Sequence, residues 1–198
     1  MLDQAPASSL YRRESWLVAQ TRTPHSTWIE AGLQALAAGG ADAVRVDLLA
    51  KTLGVTRGGF YWHFASRQVF LDALLDAWEH RSTDEVLERV EEEGGDARDK
   101  VRMAGMLTFS RDLLPIDLAV RDWARRDRSV AERLRRVDNR RMDYLRALIG
   151  TFSDDPDDVE ARSMLAFSLA IGSHFIAADH DGRNRGQVLE RATQRLLA

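Results

Sequence analysis

Cysteine is absent from this chain of 198 residues. Its absence excludes a disulfide framework, thiolate catalysis, and zinc or iron–sulfur sites with cysteine ligands, and it fits a reducing cytoplasm. Long apolar runs are missing too, because Arg, Asp, Glu or His interrupts every stretch before the roughly 18 residues that a membrane-spanning helix needs. The first residues, MLDQAPASSLYRRES, lack the apolar core of a signal peptide. We therefore expect a cytoplasmic protein without a membrane segment.

Proline is scarce as well, with 4 residues in the chain, whereas Leu, Ala, Arg and Glu are abundant. Strand-like alternation between turn residues is not found, so the pattern favours helices. Hydrophobic residues make up 44% and charged residues 30%, which is typical of a globular chain. Residues 1–67 hold seven basic and five acidic side chains, and the remainder holds 21 basic and 26 acidic ones. This asymmetry is compatible with a nucleic-acid-binding N-terminal region on an acidic body.

Start and stop signals in the N-terminal third predict four helices. The first begins at Thr23, as N-cap before Pro24, and ends at Gly39-Gly40. The second ends at Gly54 in a left-handed conformation, and Thr56 caps the third. Ser66 caps the fourth, which continues to about residue 90.

Similar signals divide the remaining chain into five more helices. They are predicted over residues 99–114, 115–126, 129–152, 157–178 and 187–197. A capping box formed by Ser129 and Glu132 opens the third of these. The whole chain is therefore expected to be all-α, with about nine helices.

The segment from Val44 to Phe64, VRVDLLAKTLGVTRGGFYWHF, predicts a helix-turn-helix. Such a motif needs apolar residues that lock two helices together, and a second helix whose N-terminal turn can enter the major groove. Arg57 is the natural base-reading residue, because a guanidinium can bond guanine O6 and N7 together. Gly58 and Gly59 cost helix propensity, about 1 kcal/mol each, which is reasonable where a partner must approach the backbone closely.

At these residues the chain resembles the TetR family of bacterial transcriptional regulators. The family pattern G-V-[ST]-x-[GP]-x-[LF]-Y-x-H-F stands here as GVTRGGFYWHF over residues 54–64, followed by Ser66 and Arg67. The resemblance implies a homodimer that binds double-stranded operator DNA, and a C-terminal helical domain that dimerises and often holds a small-molecule inducer. It also implies three parts: an extension over 1–22, a DNA-binding domain over 23–68 with its motif at 44–63, and a regulatory and dimerisation domain over 69–198.

Positions that match DNA-contacting places of the family follow from the same resemblance. They are Thr56, Arg57, Gly58, Tyr61, Trp62 and His63, with Arg67 as the basic residue that reaches a phosphate. One departure concerns the second helix, which the family commonly opens with Thr or Ser and which here has Val44 and Arg45. Either Arg45 replaces the hydroxyl contact with a charge, or that contact is missing.

Several of these residues have a structural alternative. Phe60 and Phe64 are expected in the core, Tyr61 could serve the core or touch DNA, and His63 could be a structural histidine. The arginine cluster at 125, 126, 128, 133, 135, 136, 140 and 141 could be a second nucleic-acid surface, but a solvated helix face is favoured. An N-terminal arm that carries Tyr11, Arg12, Arg13 and Arg22 could follow a DNA groove, although disorder or a short helix is favoured. His174 and His180 lie six residues apart, which places their rings on different helix faces, so no metal site is expected.

The helices after residue 90 predict a dimer interface and a ligand pocket. The helix over 157–178 is apolar nearly all round, so it is expected to pair with the last helix across a two-fold axis. The predicted interface residues are Leu165, Leu169, Ile171, Gly172, Ile176, Val188, Leu189, Ala192 and Leu196. An excess of aromatic residues and methionines predicts an apolar pocket, although any one of them could be ordinary core. The pocket residues are Trp78, Met103, Met106, Phe109, Trp123, Met142, Tyr144 and Phe167.

Enzyme motifs are not found: there is no G-x-S-x-G elbow, phosphate loop, H-E-x-x-H or G-x-G-x-x-G after a strand. No cofactor is therefore expected. Three functions stay open at this point, in descending order of preference. They are a DNA-binding regulator, expected to be a repressor released by a small hydrophobic ligand, a ligand-independent helical DNA-binding protein, and an all-α enzyme.

Overall fold

The computed structural model describes residues 23–198, and nine helices without a strand make up this part of the chain. The all-α expectation is confirmed. The helices are α1 (His25–Ala43), α2 (Val46–Thr52), α3 (Arg57–His63), α4 (Arg67–Glu79, continued by a π-helical turn His80–Asp84 and by Glu85–Glu93), α5 (Ala97–Thr108), α6 (Leu114–Ala124), α7 (Arg128–Ile149), α8 (Pro156–Gly172) and α9 (Arg185–Leu196). The expected N-terminal extension over 1–22, with Tyr11, Arg12, Arg13 and Arg22, lies outside the described residues.

Glycines and a serine set the boundaries of the first helices as the sequence predicts. The helical geometry of α1 breaks at Gly39 and Gly40, where the φ of Gly40 is 70°. Gly54 adopts a φ of 68° at the end of α2, a conformation that favours glycine. The Ser66 Oγ accepts a hydrogen bond from the Val69 amide at 3.2 Å and so caps α4.

Two predicted N-terminal caps are wrong. Pro24, not Thr23, is the N-cap of α1, so the proline precedes the helix instead of opening it. At α7 the cap is Asp127, whose Oδ1 accepts hydrogen bonds from the amides of Ser129 at 2.9 Å and Val130 at 3.3 Å. The carboxylate stands at the positive end of the helix dipole, and therefore displaces Ser129 from the capping role.

Two predicted helices are shorter than the pattern suggests. The helix predicted over 99–114 begins earlier, where Asp96 and Asp99 form a capping box, and ends at Thr108. Phe109 leaves helical geometry there (φ −108°, ψ 34°), and α6 begins after a short turn. The helix predicted over 157–178 ends at Gly172, so Ile176 follows α8 instead of lying on it.

The largest core cluster joins the N-terminal helices to the centre of the molecule. It packs Trp28, Phe60 and Phe70 of the first four helices together with Val120 of α6 and Val137 of α7. The predicted boundary between residues 68 and 69 therefore falls within α4, and a single core continues across it. None of the helices within residues 23–198 is long and apolar enough to cross a membrane.

Two smaller clusters occupy the C-terminal half. One includes Leu145 and Ile149 of α7 with Leu197, and the other includes Val86 and Val90 of α4 with Ala104 of α5. These clusters border a cavity between α4, α5, α7, α8 and α9.

Candidate nucleic-acid interface and cavity

The turn between α2 and α3 has the geometry of a helix-turn-helix. Gly54 supplies the left-handed residue, and the Val55 amide donates a hydrogen bond to the Ala50 carbonyl at 2.9 Å. Phe60, on the inner face of α3, is fully buried, and its ring centroid lies 5.4 Å from that of Trp28 and 5.2 Å from that of Phe70. Aromatic packing against α1 and α4 therefore fixes the direction of α3.

The outer face of α3 and the residue before it point to solvent. Tyr61 is 50% exposed and Trp62 is 61% exposed, although both are large and partly apolar. Thr56 is the N-cap of α3, but its side chain makes no capping hydrogen bond. Arg57 is exposed and makes no hydrogen bond or ion pair with any of residues 23–198. These four residues, together with Gly58, form the surface that we call the α3 face.

The glycines of α3 are not required by the packing of the chain itself. A Cβ atom at Gly58 would meet the Thr56 Oγ1 at 3.6 Å, and one at Gly59 would meet a ring carbon of Trp28 at 3.8 Å. Both distances are ordinary van der Waals contacts. The fold therefore leaves room for a side chain at either position, so packing within residues 23–198 does not explain these glycines.

Two predicted DNA-contacting residues make bonds that hold the N-terminal region together. The His63 Nε2 donates a hydrogen bond to the Thr23 carbonyl at 2.8 Å. The Arg67 Nε donates to the Val44 carbonyl at 2.8 Å, and its Nη2 donates to the Ala41 carbonyl. Both side chains thus have structural roles, and contact of either with DNA stays a prediction.

Two more cations of the described residues lie on α2 or just before it. Arg45 is the N-cap residue of α2, and its Nη2 pairs with the Asp47 Oδ2 at 3.1 Å. Lys51 is exposed on the same helix. Lys51 is not among the predicted DNA-contacting residues, because nothing in the sequence distinguishes it from other exposed cations. The fold places it on α2, the helix that precedes the turn.

The cavity in the C-terminal half has a volume of about 350 Å³. Four of the eight predicted pocket residues line it, namely Met106, Phe109, Tyr144 and Phe167. The other four do not: Trp78 and Trp123 belong to the largest core cluster, Met142 packs against the cluster around Leu145, and Met103 packs against the cluster around Val86. Both tryptophans are buried in the core that joins the N-terminal helices to α6 and α7, and therefore lie outside the cavity.

The residues predicted for a dimer interface fall into three groups. Leu169, Leu189 and Leu196 line the cavity. Ile171, Gly172, Val188 and Ala192 are partly buried within the chain. Leu165 and Ile176 are more than half exposed, as are their neighbours Met164 and Phe175. The α8 helix and the segment after it therefore present an apolar surface.

The arginine cluster of α7 is not uniformly solvated. Arg128 is almost fully exposed, as expected for a solvated face, but Arg141 is only 5% exposed. The Arg141 Nη1 lies 3.0 Å from the Oδ1 of Asp117, which is fully buried on α6. Sequence analysis missed this pairing, because the partners lie on different helices and only the tertiary fold brings them together.

In the part of the chain that the structure describes, histidines and acidic residues do not gather into a metal site. Within residues 23–198, no group of three or more His, Asp or Glu side chains is arranged to hold a metal ion. The Tyr144 hydroxyl also has a partner within the chain, because it donates a hydrogen bond to the Glu91 Oε1 at 2.7 Å. Burial, together with this carboxylate, raises the pKa of the Tyr144 phenol, so it remains protonated at neutral pH.

Comparison with known proteins identifies the N-terminal region by sequence. The family model described as "Bacterial regulatory proteins, tetR family" matches residues 29–74. The HTH-type transcriptional regulator TtgW of Pseudomonas putida is 34% identical over 62 residues, which are 31% of this chain and 46% of that protein. The HTH-type transcriptional regulator SrpR of Pseudomonas putida is 38% identical over 52 residues, 26% of this chain and 24% of that protein. The chain therefore spans less than half the length of either relative.

Solved structures match the fold over most of the chain. A transcriptional regulator from Rhodococcus sp. Rha1 has a TM-score of 0.67 at 21% identity, covering 88% of this chain and 94% of that one. The ketosteroid transcriptional regulator KstR2 of Mycobacterium tuberculosis has a TM-score of 0.63 at 17% identity, covering 90% and 95%. The fatty acid degradation regulator FadR of Bacillus halodurans has a TM-score of 0.63 at 18% identity, covering 88% and 98%. At such identities the likeness is one of fold.

Proposed function

We propose that the chain is a member of the TetR family of bacterial regulatory proteins, and that it is a DNA-binding transcription regulator that reads an operator through the α3 face. The observation that carries this proposal is the exposed cation of Arg57 beside Gly58. A guanidinium without a partner among residues 23–198, next to a glycine backbone, suits a base edge in the major groove. A regulator of bacterial transcription acts in the cytoplasm, where the DNA is.

A homodimer is the second part of the proposal. The exposed apolar residues on and after α8, Met164, Leu165, Phe175 and Ile176, form the kind of patch that marks a protein interface. An isologous interface would give each dimer two α3 faces, which must be about 34 to 36 Å apart to enter successive major grooves. A near-palindromic operator would match that symmetry.

Repression with release by a small molecule is the third part. The cavity of about 350 Å³ lies within the size range of small-molecule sites. It borders the C-terminal half of α4, whose first residues hold the N-terminal region through Arg67. A hundredfold loss of operator affinity requires about 2.7 kcal/mol of differential ligand binding, which a modest change in apolar contact can supply. This cavity favours ligand control over ligand-independent DNA binding.

The proposed DNA contact is tested with Arg57→Ala on an operator selected from random duplex DNA. We expect a loss of about 1 to 3 kcal/mol in operator binding and a relaxed preference at one base pair, because one bidentate contact is removed. Arg89→Ala is the matched control, since Arg89 is an exposed arginine on the far end of α4 that pairs with Glu93 on its own helix. Fluorescence anisotropy at fixed salt gives the affinities. Equal operator affinity and base preference in wild type and Arg57→Ala would exclude the α3 face as the reading surface.

A further inference from the structure

Three of the residues that line the cavity have side-chain atoms without a hydrogen-bond partner among residues 23–198. Ser82 and Thr83 line the cavity and are fully buried, yet neither side-chain hydroxyl has a hydrogen-bond partner among residues 23–198. The Arg141 Nε, in another buried lining residue, is also without a partner. An unsatisfied buried donor costs free energy, which a ligand oxygen that reached these atoms would recover.

The backbone around Ser82 and Thr83 is unusual. Both residues lie in the π-helical turn His80–Asp84 of α4. In a regular helix a buried serine or threonine hydroxyl commonly bonds the carbonyl one turn earlier, and neither hydroxyl does so here. Single π-helical turns within α-helices occur frequently at functional sites. The turn therefore supplies two of the residues that line the cavity, Ser82 and Thr83.

The charge of Arg141 is already balanced by carboxylates. Its Nη1 lies 3.0 Å from the Asp117 Oδ1 and 3.3 Å from the Asp138 Oδ1. Arg121 completes the cluster: its Nε donates to the Asp117 Oδ2 at 2.7 Å, and its Nη2 donates to the Asp138 Oδ1 at 2.7 Å. Two guanidinium groups thus face two carboxylates. The Arg141 Nε is available as a donor, but the cluster carries no surplus positive charge for an anion.

The rest of the cavity wall is mostly apolar. It includes Val86, Leu145 and Phe167, and the Phe109 ring stands edge-on to the Phe167 ring at 5.9 Å. Two other charged or polar lining groups are occupied, because Tyr144 bonds Glu91 and Arg102 pairs with Asp99. His174 also lines the cavity but is exposed to solvent.

We infer that the cavity takes an uncharged, mainly apolar molecule with one or two oxygen acceptors, such as a ketone or an ester, whose oxygen meets the Arg141 Nε and the hydroxyls of Ser82 and Thr83. A pure hydrocarbon leaves these donors unsatisfied. A carboxylate adds an unbalanced negative charge beside Asp117 and Asp138, and it loses its hydration on entry. This inference rests on the proposed function, because it names the ligand class of the same cavity.

The experiment compares three probes of similar size: 2-octanone, its hydrocarbon isostere 2-methyl-1-octene, and octanoate. Each is titrated against the full-length protein by displacement of the uncharged dye N-phenyl-1-naphthylamine and by calorimetry. We expect 2-octanone to bind wild type at least about tenfold more tightly than octanoate, since the anion loses hydration and is buried beside two carboxylates.

The role of the hydroxyls is read from the double variant Ser82→Ala/Thr83→Val. The alkene leaves water more readily than the ketone, so the informative quantity is the ketone-to-alkene affinity ratio in each protein. This ratio should fall about tenfold in the double variant. Thermal unfolding should be unchanged or shifted upward, because hydroxyls without partners are removed. Thr151→Val is the matched control, since the Thr151 hydroxyl donates to the Leu148 carbonyl and Thr151 does not line the cavity.

An unchanged ratio, a lower unfolding temperature in the double variant, tighter binding of octanoate than of 2-octanone, or no binding of any probe would each overturn the assignment. Operator binding in the presence of saturating 2-octanone is measured separately. Ketone binding that leaves operator affinity unchanged contradicts ligand control but not the ligand class. Release of the operator by octanoate alone contradicts the ligand class but not ligand control.

Discussion

The N-terminal helices and the C-terminal half of this chain are packed in different ways. Around α3 the interior is filled by interlocking rings, and Trp28, Phe60 and Phe70 have no exposed surface. In the C-terminal half, small clusters of aliphatic side chains surround a cavity of about 350 Å³. Dense packing suits the rigid surface that the proposed DNA contact needs, whereas unfilled space costs stability and suits the proposed ligand site.

The two regions also differ in the burial and pairing of their charged side chains. Near α3, Arg57 and Lys51 are exposed and make no ion pair with any of residues 23–198. In the C-terminal half, Arg141 and Asp117 are buried and paired. Exposed cations are ready for phosphates and base edges, while buried pairs define one arrangement of the helices that they join. The proposed DNA contacts thus lie on the surface of the first region, and the proposed ligand site is enclosed within the second.

The largest expected effect tests the difference in packing. Phe60→Ala should lower the free energy of unfolding by about 3 to 5 kcal/mol, because a fully buried ring is removed from a filled core. Phe167→Ala is the matched change in the C-terminal half and should cost about 1 to 2 kcal/mol, since Phe167 is partly exposed and borders existing space. Urea unfolding with intrinsic fluorescence measures both.

Equal losses in these two variants would remove the distinction between a filled and an open region. A larger loss in Phe167→Ala would reverse it. The slope of free energy against urea should stay constant in both, because a changed slope would indicate a second unfolding step instead of a packing effect.

The second largest expected loss of unfolding free energy tests the buried charges. Asp117→Asn should cost about 3 kcal/mol, because Arg141 then keeps its buried charge with one carboxylate fewer. Burial alone would lower the pKa of Arg121, but its hydrogen bonds with Asp138 and the charge of Asp117 outweigh this, so the pKa is raised and Arg121 stays charged. Asp143→Asn is the control, because Asp143 is an exposed partner of Arg146 on α7.

Calorimetric unfolding of the two asparagine variants distinguishes the alternatives. If Asp117→Asn were as stable as Asp143→Asn, the cluster would contribute no more than a surface ion pair. Such a result would also weaken the view that Asp117 and Asp138 leave no surplus charge at the cavity.

Local signals explain why much of the N-terminal region could be predicted. Gly54 and Ser66 act within a few positions along the chain, and the structure places the turn and the α4 cap as expected. The exceptions are also local: Asp127 and Ser129 compete for one helix end, and the carboxylate of Asp127 caps it. Both residues are good N-cap candidates, so their presence in the sequence does not by itself show which of them caps the helix.

The sequence predicts roughly where the cavity lies, but not which residues line it. Aromatic residues at helical spacing have the same pattern whether they face a core or a cavity, so Trp78 and Phe109 could not be separated. The π-helical turn in α4 is not marked by a cap, glycine or proline in the sequence. The pairing of Arg141 with Asp117 joins residues that are far apart in the chain, whereas the spacing of Asp117 and Arg121, four residues apart, was a usable clue.

The smallest expected effect concerns an ion pair on the surface that joins the two regions. Glu30 of α1 accepts hydrogen bonds from Arg81 in the π-helical turn of α4, and both side chains are partly exposed. The hydrogen bonds from Arg81 lower the pKa of Glu30 below its ordinary value of 4.5. Glu30→Gln should therefore reduce the free energy of unfolding at pH 7 by about 0.5 kcal/mol, the range of exposed pairs.

The sign of its pH dependence follows from the lowered pKa. Stabilisation by Glu30 is complete above the unfolded value of 4.5 and is lost as the pH falls through the lower folded pKa. The difference between wild type and Glu30→Gln should thus be constant from about pH 6 to 8, shrink below about pH 4, and decrease in about 1 M NaCl. Glu132→Gln, which breaks an exposed pair within α7, should cost less at every pH. A Glu30→Gln loss above about 2 kcal/mol would mean that a surface contact, and not the shared core, holds the two regions together.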